Sequence, residues 1–365
     1  MRIVIQQPQL LKHLQIVEHA VNERSALPIL ANILLQTTEN ELVLTATDLD
    51  VGIQCRVPLT QTAEHGAVTL PARKLTTIIK ELPSDTVTLE AKKNQTAIVC
   101  CGTSNFRIPG LPAEDFPTLP ETTSTEGVSL PQGALKALIA KTGYAMSMEA
   151  TRFILNGALI TTQKNTLSVV ATDGRRLATA SAALTTEKGS IQAVIPAKTM
   201  RELGRLLPEN DEEVSVALLK DHQMTFRFGG VSIVTRLIEG QFPQYEKVIP
   251  SPTKQTISCG RQTLMDAVRR ASLMTTATSQ AVLFELGPNQ LIVSKESAET
   301  GSAREELAVD YSGEPMTVAF NPEFWLDVLK VLDVDEVTIE IAGPDRPAVI
   351  RQPGFTYLVL PMKVA

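Results

Sequence analysis

The segment Leu44-Thr45-Ala46-Thr47-Asp48 returns as Val169-Val170-Ala171-Thr172-Asp173, 125 residues further along the chain. The same offset carries Pro71-Ala72-Arg73-Lys74 to Pro196-Ala197-Lys198, and an offset of 126 carries Asp115-Phe116-Pro117 to Gln241-Phe242-Pro243. Several unrelated motifs sharing one offset mean a duplicated domain, because chance matches would scatter. A third, more divergent copy begins near residue 251, and its Pro322 lies 126 residues beyond Pro196. Three copies suit a chain of 365 residues, which is too long for one ordinary core. The expected domains are residues 1–120, 127–250 and 251–365. The Pro/Thr/Ser/Glu-rich stretches Pro117–Gly127 and Pro250–Thr256 read as the linkers between them.

Within a copy the order reads as a helix, two alternating strands, a turn at Ala-Thr-Asp, more strand, then a proline with a second helix and further strands. The spacing predicts first helices at Gln9–Asn22, Gln132–Gly143 and Arg261–Leu273. Second helices, opened by a proline suited to the first helical turn, are predicted at Pro71–Leu82, Pro196–Leu207 and Pro322–Leu332. Runs such as Val87–Glu90, Ala97–Cys100 and Val337–Ile341 alternate or are β-branched and read as strands. So do Ala281–Leu286, Gln290–Ser294 and the closing Phe355–Leu360. The fold class is α+β, with two helices laid against sheet in each of three repeated domains.

The charge pattern points to a partner. A net charge of −6 argues against a general nucleic-acid coat, since nonspecific binding rests on neutralising phosphates. The predicted helices nevertheless sum to +7, which leaves −13 for the rest of the chain. Four of them carry +2 each, as with Lys198, Arg201 and Arg205 against Glu202. If the helices share one surface, that surface attracts a polyanion while the sheet surface repels it. The plainer alternative is that Lys and Arg merely solvate exposed helix faces.

Other chemistry finds little support. Asp48 and Asp173 hold equivalent places in different copies, where a shared turn role is simpler than a catalytic pair. His13, His19, His65 and His222 have no metal-ligand spacing, and no P-loop, dinucleotide turn or nucleophile elbow occurs, so no metal, cofactor or catalytic residue is expected. Cys55, Cys100, Cys101 and Cys259 form no C-x-x-C pair and read as reduced, mostly buried thiols. The start lacks the basic and apolar regions of a secretory signal, and no apolar run approaches the roughly 18 residues of a membrane span. The expected location is the cytoplasm, with no membrane partner.

Leu27-Pro28-Ile29-Leu30, Pro71-Ala72-Arg73-Lys74, Ala171-Thr172-Asp173-Gly174-Arg175-Arg176-Leu177, Phe242-Pro243-Gln244-Tyr245 and Leu358-Val359-Leu360-Pro361-Met362 resemble, in order and over the whole chain, the bacterial DNA polymerase III beta subunit family of DNA sliding clamps. The resemblance implies the DNA clamp fold, in which three-domain chains form a head-to-tail homodimer, a six-domain ring with helices inside and sheet outside. It implies sequence-independent binding of double-stranded DNA, with Arg24, Arg73, Arg152, Lys198 and Arg201 facing it. It also implies a hydrophobic pocket where the polymerase III alpha subunit, the clamp loader, other DNA polymerases and repair proteins dock a short peptide. Carried over by position, that pocket comprises Leu155, Thr172, Gly174, Arg175, Leu177, Pro243, Val248, Asn321, Phe324, Val359, Leu360, Pro361 and Met362. Arg175 and Phe324 stand where other members often carry different residues. At the dimer interface the resemblance sets Ile78, Phe106 and Ile108 opposite Leu273, with Lys74 and Arg107 near Glu299 and Glu305. The rival of another class is a repeat-built scaffold that never touches DNA; an enzyme of unknown type is more distant.

Overall fold

A computed structural model of the chain describes residues 1–83, 85–120, 127–149 and 151–363. All three copies follow one plan, and each begins with a strand ahead of its first helix, an element absent from the expected order. These opening strands are Arg2–Gln6, Gly127–Pro131 and Thr256–Gly260. The first helices are α1 (Gln7–Val17), α3 (Gln132–Thr142) and α5 (Arg261–Ser272), and the second helices are α2 (Ala72–Glu81), α4 (Ala197–Leu206) and α6 (Pro322–Val331).

Several expected boundaries shift. The helix expected at Gln9–Asn22 starts two residues earlier, with Pro8 in its first turn, and tightens at Glu18–Ala20 into a 3-10 turn that closes on the Glu18 carbonyl. Glu18 therefore falls outside α1, which is left with Lys12 as its only charge. Pro71 is the cap of α2 rather than its first helical residue, and Pro196 ends a strand; only Pro322 sits inside the first turn as expected. In α2, Leu75, Ile78 and Ile79 turn inward while Arg73, Lys74 and Lys80 are exposed, so the basic residues do line the solvent face.

The sheets join the copies. In each copy the opening strand pairs beside the three strands that follow the second helix, joined in the first two copies by a short strand on its other side (Gln61–Glu64 and Thr186–Lys188), and the remaining strands between the helices form another sheet. The last strand of the second copy, Val231–Arg236, pairs antiparallel with Val51–Pro58 of the first, aligning Ile233 with Ile53. By the same rule the last strand of the third copy, Phe355–Val359, pairs with Arg176–Ala183 of the second, aligning Leu358 with Leu177. The results are a nine-stranded and an eight-stranded sheet, each spanning a copy boundary. Because pairing crosses those boundaries, the compact bodies do not follow the repeats. One comprises Met1–Gly133, Leu184–Ile191 and Arg205–Leu237, and the other Ala134–Ala183, Gln192–Gly204 and Ile238–Ala365.

The first body builds its core from residues such as Ile3, Ile5, Leu10, Leu14 and Ile33, all fully buried. The second contains an aromatic cluster in which Trp325 stacks on Phe284 at 5.2 Å and meets Phe320 edge-on at 5.3 Å. Cys55 and Cys259 lie buried, and burial lifts their thiols to about 12 and about 11, which keeps them protonated and inert. Of the expected linkers, residues 121–126 lie outside the described residues, and residues 250–255 have no regular structure. Among the described residues no helix is long and apolar enough to cross a membrane.

Candidate peptide groove and basic surface

The Ala-Thr-Asp segments are one turn built twice. In the first copy Asp48 Oδ1 accepts the amides of Asp50 and Val51 at 3.0 and 2.8 Å, while Thr47 Oγ1 accepts that of Leu49 at 3.0 Å. In the second, Asp173 Oδ1 accepts those of Arg175 and Arg176 at 2.8 and 3.0 Å, and Thr172 Oγ1 that of Gly174 at 3.0 Å. Both aspartates are thus consumed in holding a loop. The loop needs a left-handed residue, filled by Gly174 at φ 84° and, against its steric preference, by Leu49 at φ 80°.

Beyond this turn in the second body, one face of the eight-stranded sheet is apolar across six neighbouring strands. Leu159, Val170, Leu177, Leu358 and Val349 form a continuous cluster with Val194 and Phe242. Ile154, Leu155, Ile238, Tyr245 and Ile249 pack around it, half-buried. Exposed beside them are Pro243, Val248 at 56% and Leu360 at 40% exposure. The carboxyl end is tied down, since the Leu360 amide donates to the Arg175 carbonyl at 2.9 Å and the Met362 amide to the Ala319 carbonyl at 2.8 Å. The accessible rim over this buried cluster offers apolar surface on which a peptide anchor can rest.

Two residues of the expected pocket differ in character. Val359 is fully buried, because it completes the final strand and pairs with Arg176, and it offers no surface to a ligand. Phe324 is also largely covered, its ring lying 4.4 Å from the Arg176 guanidinium carbon. Asn321 caps α6, its side-chain oxygen accepting the Glu323 amide at 2.9 Å. Thr172, Leu155, Leu177, Pro361 and Met362 range from buried to half-buried, and Gly174 and Arg175 are exposed.

Arg176 was missed by sequence reasoning, although it stands inside the quoted motif. Its guanidinium donates to Asp327 at 2.8 Å, to Asp173 at 3.1 Å and to the Tyr144 carbonyl at 2.5 Å, joining second-copy residues to α6. Burial opposes its charge, but the hydrogen bond to Asp327 and the fields of Tyr357, Asp173 and Asp327 outweigh burial, so its pKa lies above the ordinary guanidinium value. Tyr357, itself fully buried, donates to the Phe324 carbonyl at 2.8 Å and extends the network. In a strand Arg176 points to the face opposite Leu177, so the local pattern reads as a solvated arginine and gives no signal for its pairing with Asp327.

Of the basic residues, Arg24 is exposed, and Arg201 is exposed with its Nε donating to the Ala197 carbonyl at 3.2 Å. Lys198 is half-buried on α4. Arg73 pairs with Glu23 at 2.9 Å and Arg152 with Glu149 at 3.0 Å. Arg152 also donates to the Asp173 carbonyl and lies against Gly174, which brings it to the rim of the groove. At the expected interface, Leu273 is 71% and Phe106 37% exposed, whereas Ile78 at 8% and Ile108 at 2% serve the core of the first body and have little surface left to share. Lys74 is exposed, and Glu305 is engaged by Arg270 at 2.6 and 3.0 Å. Among the described residues no cluster of His, Cys, Asp or Glu is arranged to hold a metal.

Comparison with known proteins covers the whole chain. The family models for the N-terminal, central and C-terminal domains of the DNA polymerase III beta subunit match residues 1–120, 129–244 and 246–363. The beta sliding clamp of Pseudomonas putida is 35% identical over all of both chains. Among solved structures, the sliding clamp of Pseudomonas aeruginosa bound to griselimycin superposes with a TM-score of 0.94 at 34% identity, and that of Bacillus subtilis with 0.94 at 30%, each over 100% of both chains. The chain belongs to the DNA polymerase III beta subunit family, the bacterial beta sliding clamps.

Proposed function

We propose that two copies of this chain close head to tail into a six-domain ring that encircles duplex DNA, slides without reading sequence, and tethers replication and repair proteins through the apolar groove. As a member of its family the chain is a non-catalytic processivity factor. The observation that carries the ring is a pair of complementary free edges. The last strands of the second and third copies each pair with the fourth strand of the preceding copy, whereas the last strand of the first, Ser104–Pro109, and the fourth strand of the third, Gly301–Ala308, end their sheets. A free edge is a template for another chain. Applied once more between chains, the rule that joins neighbouring copies pairs these two edges, and a contact between unlike surfaces that closes after two chains gives a cyclic dimer. Phe106 lies on the first edge, and Leu273 ends the helix that packs beside the second. Both are exposed apolar residues of the kind an interface covers.

Arg24, Arg73, Arg152, Lys198 and Arg201 supply the phosphate contacts in this reading, through long side chains that carry no base information. The docking groove uses Leu155, Gly174, Arg175, Pro243, Val248, Leu360, Pro361 and Met362, with Thr172, Leu177, Asn321 and Phe324 supporting it from beneath. Its partners are the polymerase III alpha subunit, the clamp loader, other polymerases and repair proteins, met in the cytoplasm. Reversing Arg73→Glu together with Lys198→Glu is expected to weaken retention on DNA and to reduce the slope of log affinity against log salt by about 2 per chain, because fewer counterions are released. Thermal unfolding should stay unchanged. Equal losses from reversing lysines on the sheet face would show that the helix charges are not the DNA surface.

A further inference from the structure

The apolar cluster of the second copy has a counterpart in the first, and strand register fixes the correspondence. Leu34 pairs with Thr45 and Thr69 as Leu159 pairs with Val170 and Val194. Gly52 lies opposite Thr47 and Val234 as Leu177 lies opposite Thr172 and Leu358. Phe116 answers Phe242, and both rings are buried. The first-copy version is less apolar, because Thr45, Thr69 and Gly52 stand for Val170, Val194 and Leu177. Glycine leaves a gap where the other copy has the Leu177 side chain, and the chain fills that gap itself. A Cβ at Gly52 would lie 2.8 Å from one methyl carbon of Leu119 and nearer still to the other. Leu119 is half-buried and stands three positions after Phe116, at the start of the stretch that leads to the second copy. Beside it a cavity of about 400 Å³ remains open, lined by Leu34, Gln36 and Gln54 from the sheet and by Glu114 and Thr118 from the segment that crosses it.

We infer that the first copy holds a second peptide-anchor site, kept shut by the chain's own Leu119. The Gly52 gap takes one leucine side chain, Leu119 occupies it in the resting molecule, and an extended leucine-bearing peptide enters once Leu119 leaves. Beside the gap, the Gln36 and Gln54 amides offer donors and acceptors to the backbone of such a peptide. An occupant tethered through a short segment competes at an effective concentration of roughly millimolar, so free peptide at lower concentration is excluded while Leu119 is in place. The inference draws on register and on the Gly52 and Leu119 contact alone, and it stands apart from the docking role of the second-copy groove.

The test uses the full-length chain, with the methyl signals of Leu34 and Leu177 followed by NMR, and a peptide copying Phe116–Pro120, capped at both ends, as the probe. In Leu119→Ala the peptide is expected to shift Leu34 saturably, with a midpoint at least about tenfold lower than in the wild type, where Leu119 competes. The same peptide with serine in place of its leucine should lose the effect. Gly52→Ala supplies the complementary result, because its methyl group takes the gap: Leu119 is displaced, yet no peptide enters. Gly52 lies in ordinary strand geometry, so alanine strains no backbone there. Equal midpoints in the wild type and Leu119→Ala, or no shift of Leu34 at millimolar peptide, would overturn the proposal and leave Leu119 as a side chain that merely replaces the one Gly52 lacks. A shift confined to Leu177, or a Leu34 shift undiminished in Gly52→Ala, would overturn it as well. Because the readout is Leu34, failure of the second-copy groove to take peptides would not alter these outcomes, and the two readings fail separately.

Discussion

Arg176→Met is expected to lower the unfolding free energy by about 3 kcal/mol, because it removes the counterion shared by two partly buried carboxylates and leaves Asp327 with the more distant Lys330 at 3.8 Å. The Arg176 and Asp173 side chains are 10% and 17% exposed, and Asp327 is 31% exposed on α6. Methionine fills much the same volume and keeps contact with the rings of Phe324 and Tyr144, so the loss reports charge pairing rather than a cavity. Adding Asp327→Leu should recover part of the loss, since replacing both partners leaves fewer orphaned charges than removing one. Urea unfolding of the single and double variants measures this. A single variant within about 0.5 kcal/mol of wild type would mean that the network is not what holds α6 to the second-copy strand.

Removal of Leu360–Ala365, whose last two residues lie outside the described ones, is expected to weaken binding of an apolar partner peptide by at least about tenfold. Taking an apolar wall away from a buried anchor costs about 1.5 to 3 kcal/mol. Leu360 and Met362 are pinned by their amides to the carbonyls of Arg175 and Ala319, so the segment forms a fixed wall and not a loose tail. The cut falls after Val359, which leaves the final strand and its pairing with Arg176–Ala183 whole, and the dimer should persist. Calorimetric titration of a peptide into the truncated chain reads the effect. Unchanged affinity would show that the groove does not include the carboxyl end.

The sequence was most informative where information is local. Shared motif offsets revealed the triplication, and helix periodicity placed all six helices within a few residues. The Asp48 and Asp173 turns were legible because side chain and amides lie within three residues of each other. Three kinds of feature were not. The opening strands Arg2–Gln6, Gly127–Pro131 and Thr256–Gly260 run directly into helices with no loop between, and the Pro131 and Gly260 that end two of them mark where a helix starts without showing that a short strand precedes it. The pairing of Val231–Arg236 with Val51–Pro58 joins segments nearly half the chain apart, which no local pattern records. For the groove and the expected dimer interface, position in the sequence picked out candidate residues but not which of them were already spent. Val359, Ile78 and Ile108 are consumed by the core, and the role of Arg176 depends on Asp327, a residue 151 positions away.

Topology separates the ring from every other reading of these repeats. Chain assembled on nicked circular duplex by a clamp loader, purified by gel filtration and then treated with an enzyme that linearises the circle, is the direct test. A closed ring should co-elute with the circles at moderate salt, with a solution mass of two chains, and should be lost once the DNA has ends. Retention that is the same on circular and linear DNA, or no retention on either, would contradict encirclement and favour a scaffold that owes nothing to the topology of DNA.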